Sequence, residues 1–189
     1  MALWGVSDAD ESKPKYLSDA DKKNTIAKPE GWVLKKKVGS RNLEEILVAT
    51  VSSLSVGIGS ADITEIDWIT TAADKSEGFT LSAKVIFNEK VDVTGTPQLA
   101  VTNGNEGTGT GRGPHALSYA SGTGTNELTF SLVIAAANAA TNEDDVLSIG
   151  ANAVSLNGGT IKDKGTSTVS TITSVAGIGT AAGTLTVVA

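Results

Sequence analysis

Residues 124–134 read GTNELTFSLVI and carry the strand pattern around which the rest of the chain can be arranged. Apolar residues occupy every second position, as expected of a β-strand with one buried face. These positions are Leu128, Phe130, Leu132 and Ile134. Gly122, Gly124 and Asn126 lie at the start of this run and have the turn chemistry of a hairpin. The stretch therefore predicts a core strand that is preceded by a tight turn.

A second strand pattern of the same kind covers residues 79–88, and the interval between the two is rich in Gly and Thr. Each amphipathic strand must lay its apolar face against another sheet, which favours a β-sandwich. Shorter β-prone runs lie at residues 63–69, 98–102, 115–120 and 146–156, and residues 157–163 supply a turn and a final short strand. We therefore predict an all-β chain, with an Ig-like antiparallel β-sandwich over residues 61–165 and a β-prone tail over residues 166–189.

The bulk composition excludes several classes of protein. The 189 residues include 15 basic and 21 acidic side chains, which gives a net charge of −6. This acidic balance disfavours nucleic acid as a partner, because phosphates need a basic surface. There is no cysteine for a disulfide or a thiolate metal site. No apolar run could span a bilayer and no signal-peptide pattern is present, so we expect no membrane partner and synthesis in a cytoplasm.

Residues 1–60 differ from the rest in being dense in Lys, Asp and Glu. Large apolar anchors are sparse before residue 30, where Trp4, Tyr16 and Leu17 stand among charged residues. Such a segment cannot bury enough area to fold alone, so we expect it to be disordered or laid along another chain. Ser18 or Asp19 could cap one short helical turn.

A β-hairpin is predicted over residues 31–50, with its turn at residues 39–42. Lys35, Lys36 and Lys37 would lie opposite Glu44 and Glu45, so charge pairs across the hairpin are favoured over a nucleic-acid patch. A lone hairpin is only marginally stable and needs a partner. We therefore predict that the extended arm and hairpin of residues 1–60 serve in attachment and assembly. The candidate interface residues are Trp4, Tyr16, Leu17, Trp32, Leu34, Ile46 and Val48.

The residues available for catalysis are few. His115 is the only histidine, and no carboxylate lies at a suggestive spacing, so we interpret it as an exposed residue at a strand end. The glycine-rich run 103–113 contains Arg112 but lacks the lysine and hydroxyl ending of a phosphate-binding loop. It is better explained as a display loop. We expect no enzyme activity and assign no catalytic residue and no cofactor.

Two acidic patterns were considered as cation sites. Asp19 and Asp21 resemble part of a calcium loop, but the glycine and glutamate at the required offsets are absent. Glu143, Asp144 and Asp145 form the other cluster and could hold a cation at one end of the sandwich. Neither pattern is specific enough, and we assign no metal site from the sequence.

Three separated blocks resemble an Ig-like repeat found in large bacterial and cyanobacterial surface proteins. The blocks are FNEKV with VTGTPQL at residues 87–99, YASGTGTNELTF at 119–130 and LNGGTIKD at 156–163. They occur in the order of that family and span residues 63–165. The resemblance implies a sandwich with a structural or adhesive role and makes a host-surface glycan a candidate partner. The chain departs from the family pattern after Asp163, where a further repeat would usually follow.

The first 50 residues are similar to the start of virion structural proteins in tailed phages that infect marine cyanobacteria. The similarity lies in MALWG at residues 1–5, DESKPKYL at 10–17, GWV at 31–33 and LEEILVA at 43–49. It implies a virion location after assembly in the host cytoplasm, with the major capsid protein or other virion proteins as partners and a homo-oligomer or many copies per particle. Capsid decoration is the leading interpretation. The alternatives are a neck or tail component, and an adhesive or carbohydrate-binding module of a bacterial surface protein.

Overall fold

The computed structural model describes residues 13–14, 16–28, 30–38, 41–49, 60–105, 114–138 and 140–189. The helices and the strands of the N-terminal sheet are α1 (Asp19–Lys23), α2 (Ala176–Thr180), β1 (Thr25–Lys28), β2 (Gly31–Val38) and β3 (Arg41–Ala49). The other strands are β4 (Ile63–Trp68), β5 (Ala73–Asp74), β6 (Phe79–Thr94), β7 (Gln98–Asn105), β8 (His115–Ser121), β9 (Thr125–Ile134), β10 (Asp145–Ser148), β11 (Val154–Ser155), β12 (Thr160–Asp163) and β13 (Leu185–Val188).

The N-terminal sheet consists of β1, β2 and β3 in that order, all antiparallel. The predicted antiparallel pairing of the hairpin is confirmed for residues 31–38 and 41–49, with a bulge where Trp32 is followed by Val33, while residues 39, 40 and 50 lie outside the described residues. The predicted helical turn is also present, as α1. The Ser18 hydroxyl caps it by accepting a hydrogen bond from the Asp21 N–H at 3.1 Å. Strand β1 was not predicted and adds a third strand to the hairpin.

A ten-stranded sheet forms the rest of the chain and curls into a sandwich-like arrangement. Its main order is β12-β6-β9-β8-β7-β10-β13-β5, while β4 pairs with β6 and β11 pairs with β7. The all-β prediction is confirmed, as are the predicted strands at residues 79–88 and 124–134. Strand β6 is the longest, with 16 residues, and it pairs with β9 on one side and with β4 and β12 on the other.

The core of the sandwich lies between the inner faces of these strands. The alternating positions of β9 behave as the sequence predicts, since Leu128, Phe130 and Ile134 are fully buried while Val133 is 74% exposed. Phe87 and Leu81 of β6 face the same core. Burial of each large apolar side chain contributes about 1.5–3 kcal/mol, so this cluster is the main source of stability.

The region predicted to be a tail contributes to the same sheet. Strand β13 runs antiparallel to β10 and parallel to β5, and its Val187 is fully buried in the core. The run at residues 168–175 forms only isolated bridges, between Thr171 and Asp62 and between Val169 and Lys162. Residues 166–189 therefore help to complete the sandwich.

The N-terminal sheet packs beside the sandwich, with β1 against β6. Lys35 Nζ donates a hydrogen bond to Asn126 Oδ1 at 2.7 Å, and Lys23 forms an ion pair with the buried carboxylate of Glu65. Burial raises the pKa of Glu65, and the hydrogen bond from Lys23 opposes this shift. Within the described residues, no helix has the length and apolar character needed to cross a bilayer.

Candidate functional site

Two of the predicted interface residues lie inside the chain. Trp32 is completely buried and Leu34 is 2% exposed. Trp32 packs with Ala27 of β1, together with Leu47 and Val48 of β3. Strand β1, which the sequence did not predict, pairs along β2. It gives these side chains packing contacts within their own chain. Trp32 and Leu34 therefore belong to the interior, which corrects their assignment to an interface with another chain.

The other candidates have different surroundings. Tyr16 is 72% exposed and Ile46 is 55% exposed, while Leu17 and Val48 are half-buried. Trp4 lies outside the described residues. Tyr16 and Ile46 are therefore the two predicted residues that the structure leaves on the surface.

The far end of the β2/β3 hairpin has exposed side chains on both faces. Val38, Leu43 and Ile46 are 59%, 49% and 55% exposed. Among the described strands, β3 pairs only with β2, so no other described strand covers its outer edge. We call these three side chains and the outer edge of β3 the β3 surface. An open strand edge flanked by apolar side chains can add a strand from another chain.

Charge pairs brace this hairpin, as the sequence predicts. Lys36 Nζ lies 2.7 Å from Glu45 Oε2. Glu44 pairs with Lys28 of β1, and the hydrogen bond from Lys28 lowers the pKa of this glutamate. Lys35 turns instead to Asn126, and burial lowers its pKa. With two of these lysines held by Glu45 and Asn126, the hairpin is not a basic patch.

His115 is a buried residue, which corrects its interpretation as an exposed strand end. It is 5% exposed, and its Nε2 lies 3.0 Å from the Thr141 hydroxyl oxygen. Burial lowers the pKa of His115, and the charge of Asp145 opposes this shift. The chain beyond β9 returns over the start of β8 and supplies Thr141, which a reading of local sequence cannot show. The geometry gives His115 a role in packing.

The acidic cluster at residues 143–145 is organised by hydrogen bonds. Asp145 is fully buried, and its Oδ2 accepts from the Asn142 N–H at 2.7 Å and from Asn103 Nδ2 at 3.0 Å. Asp145 is thus turned inward to hold β7 and β10 together. In the described part of the chain, no group of three or more His, Asp or Glu side chains is placed to bind a metal ion.

A cavity of about 280 Å³ lies where the N-terminal sheet meets the sandwich. It is lined by Ala27, Lys28 and Glu30 on one side and by Glu89, Lys90, Asp163, Lys164 and Gly165 on the other. Glu89 and Asp163 are each 1% exposed. No N–H or hydroxyl group of the described residues donates a hydrogen bond to either carboxylate oxygen of Glu89 or to Asp163 Oδ2. The other oxygen, Asp163 Oδ1, accepts from the Thr166 N–H at 2.6 Å.

The environment of Glu89 strongly favours its neutral form. Burial, followed by the hydrogen bond and charge of the Asp163 carboxyl, raises the pKa of Glu89 to about 10. Sequence reasoning missed this pair, although a signal was present. The polar residues Asn88 and Glu89 interrupt the apolar alternation of β6, and both are buried beside the break in its pairing with β9.

Comparisons of the chain with protein-family models, with curated proteins and with solved structures found no match.

Proposed function

We propose that the chain is a virion structural protein of a tailed phage, and specifically a capsid decoration protein that attaches through residues 1–60 and displays an Ig-like sandwich. The observation that carries this proposal is the β3 surface, which is a strand at the end of its sheet with exposed Val38, Leu43 and Ile46 beside it. The similarity of residues 1–49 to virion proteins of cyanophages supports the same conclusion. The sandwich has its own core and does not need this hairpin to cover it.

An open edge strand is a liability for a protein that remains alone. Natural sheets protect such edges with charges, prolines or bulges, because unpaired N–H and C=O groups recruit other strands. Charged residues lie on β3, but Glu44 and Glu45 are engaged by lysines of the same sheet. The apolar residues Leu43 and Ile46 flank these two glutamates in the sequence. This arrangement suits strand addition by a capsid subunit, with the side chains fixing the register.

The attachment mechanism differs from one based on Trp32. Because Trp32 and Leu34 are interior residues, docking would rely on the β3 surface and on exposed Tyr16. Burial of these side chains against a capsid protein would tie neighbouring subunits together and stabilise the assembled shell. Many copies on a lattice would also strengthen any weak binding of a host-surface glycan by the sandwich through avidity.

The test is co-sedimentation of the purified full chain with undecorated phage particles. We expect Leu43→Asp and Ile46→Asp to abolish co-sedimentation, because each places a charge in the contact. Val133→Asp is the matched control, since Val133 is an exposed apolar strand residue of β9 on the sandwich. Circular dichroism should show that all three variants keep the β-fold, since none of the three side chains is buried.

Two outcomes would contradict the proposal. If the β3 variants and the control bind particles equally well, attachment does not use the β3 surface. Failure of the unaltered chain to bind particles, together with retention on immobilised glycans, would favour the adhesive module. Binding to tails or necks but not to heads would support the alternative location in the virion.

A further inference from the structure

We propose that Glu89 and Asp163 bind a calcium ion in the cavity between the N-terminal sheet and the sandwich. The two carboxyl groups are almost completely buried, they line the same cavity, and no N–H or hydroxyl group of the described residues donates a hydrogen bond to three of their four oxygens. Neither residue has been assigned a role in attachment. The inference is independent of the proposed capsid function.

Buried carboxylates without partners are unusual. An ionised carboxyl group is strongly disfavoured in a protein interior unless it is paired, hydrogen-bonded or bound to a metal. Here the burial of Glu89 is accompanied by a second acid, Asp163, and by the negative field of Asp62. Three arrangements could relieve this repulsion, namely an ion pair with a lysine, a proton shared between the two acids, or a bound cation.

The lysines around the cavity do not provide the first solution. Lys28 pairs with Glu44, and Lys164 Nζ lies 3.5 Å from Asp92 Oδ1. Lys90 is exposed to solvent. Among the described ion pairs, none joins a lysine to Glu89 or Asp163. Glu30, which also lines the cavity, adds a further acid.

The donor atoms are those that calcium prefers. Calcium takes six to eight oxygen ligands from carboxylates, carbonyls and water, whereas zinc and copper favour nitrogen and sulfur. Glu89 can supply two oxygens and Asp163 one, and the cavity has room for the several waters that would complete the shell. With only two carboxylates, the affinity should lie near the weak end for calcium sites, with an apparent Kd of about 0.1–1 mM near pH 8.

Calcium would compete with a proton. In the metal-free protein, the raised pKa of Glu89 keeps this group protonated near neutral pH. Binding must then release the proton, so apparent affinity should increase as the pH rises. This dependence distinguishes the site from loosely bound calcium on surface carboxylates, which are ionised throughout this range.

The test uses the full chain after treatment with a chelator. We expect about 10 mM calcium chloride to raise the Tm by about 3–10 °C near pH 8, and by much less near pH 6. Isothermal titration should show a single site. Glu89→Gln and Asp163→Asn should both abolish the response, while Asp144→Asn should retain it as a control acid outside the cavity.

Several results would overturn the proposal. One is an unchanged Tm with calcium at both pH values, and another is a full calcium response in Glu89→Gln. If Glu89→Gln is simply more stable than the unaltered chain and calcium has no effect on either, the two acids share a proton and no cation binds. An equal response to magnesium would refute the assignment to calcium. Because Gln and Asn preserve the shape of each side chain, we expect both variants to fold. The loss of the calcium response can therefore be separated from a loss of folding.

Discussion

At the scale of single residues, burial separates side chains that look alike in the sequence. Trp32 and Tyr16 are both aromatic residues in a charged N-terminal region, yet Trp32 is fully buried and Tyr16 is 72% exposed. Trp32 contacts Ala27, Leu47 and Val48 within its own sheet. The difference determines whether a substitution affects folding or contact with a partner.

We expect Trp32→Ala to lower the free energy of unfolding by about 3–5 kcal/mol, because it leaves a large cavity. Tyr16→Ala should change this free energy by less than about 0.5 kcal/mol. Urea denaturation of the two variants, followed by circular dichroism, measures both values. A small effect of Trp32→Ala would place this side chain on the surface of the free protein.

The sequence predicts residue environments only in part. The alternation in β9 correctly indicates that Leu128 and Phe130 are buried, because a regular strand has one inner face. It could not indicate the burial of His115 or Glu89, since each is covered by segments distant in the chain. Thr141 reaches His115 from beyond β9, and Asp163 reaches Glu89 from β12.

At the scale of elements, β13 has a larger role than its position suggests. It lies between β10 and β5, and residues Val146 and Leu147 of β10 pair with Thr186 and Leu185. The Val187 side chain points into the core, while its neighbour Val188 is 50% exposed. The strand therefore joins β5, at the end of the sheet, to β10.

Val187→Ala should lower the free energy of unfolding by about 1.5–3 kcal/mol, because most of the buried side chain is lost. Val188→Ala is the matched control in the same strand and should have an effect below about 0.5 kcal/mol. Thermal unfolding of both variants provides the comparison. Equal Tm values would mean that β13 is not part of the stable sheet.

Strand prediction worked for the long alternating runs and for several short ones, and it missed β1. Strands β4, β6, β7, β8, β9 and β12 lie close to their predicted ranges. β1 has only four residues, TIAK, and only its pairing with β2 makes it a strand. Which strands are neighbours, such as β13 with the distant β5, is decided by long-range pairing that no local pattern specifies.

At the scale of the whole molecule, the two sheets depend on each other unequally. The N-terminal sheet buries Ile26, Ala27, Trp32, Val33 and Leu34, whereas the sandwich has a core of more than twenty residues. Contact of β1 with β6 and the Lys23–Glu65 ion pair connect them. Three strands with so small a core need support from a neighbouring layer.

We therefore expect β1 and the first half of β2 to unfold together with the sandwich. Hydrogen exchange should give the amides of Ile26 and Val33 an opening free energy close to that of the β9 amides. The exposed end of the hairpin, around Leu43, should exchange faster. Rapid exchange at Ile26 and Val33 as well would show that the N-terminal sheet opens independently.

The position of β13 also affects how the protein is made. During translation the ribosome delivers β5 early, but its parallel neighbour emerges more than one hundred residues later. Until residue 188 has left the ribosome, the nascent sandwich has an unfilled gap and an uncovered apolar edge at β10. A chain that stops before β13 would therefore be unable to complete this sheet, and cellular proteases would recognise it by that gap.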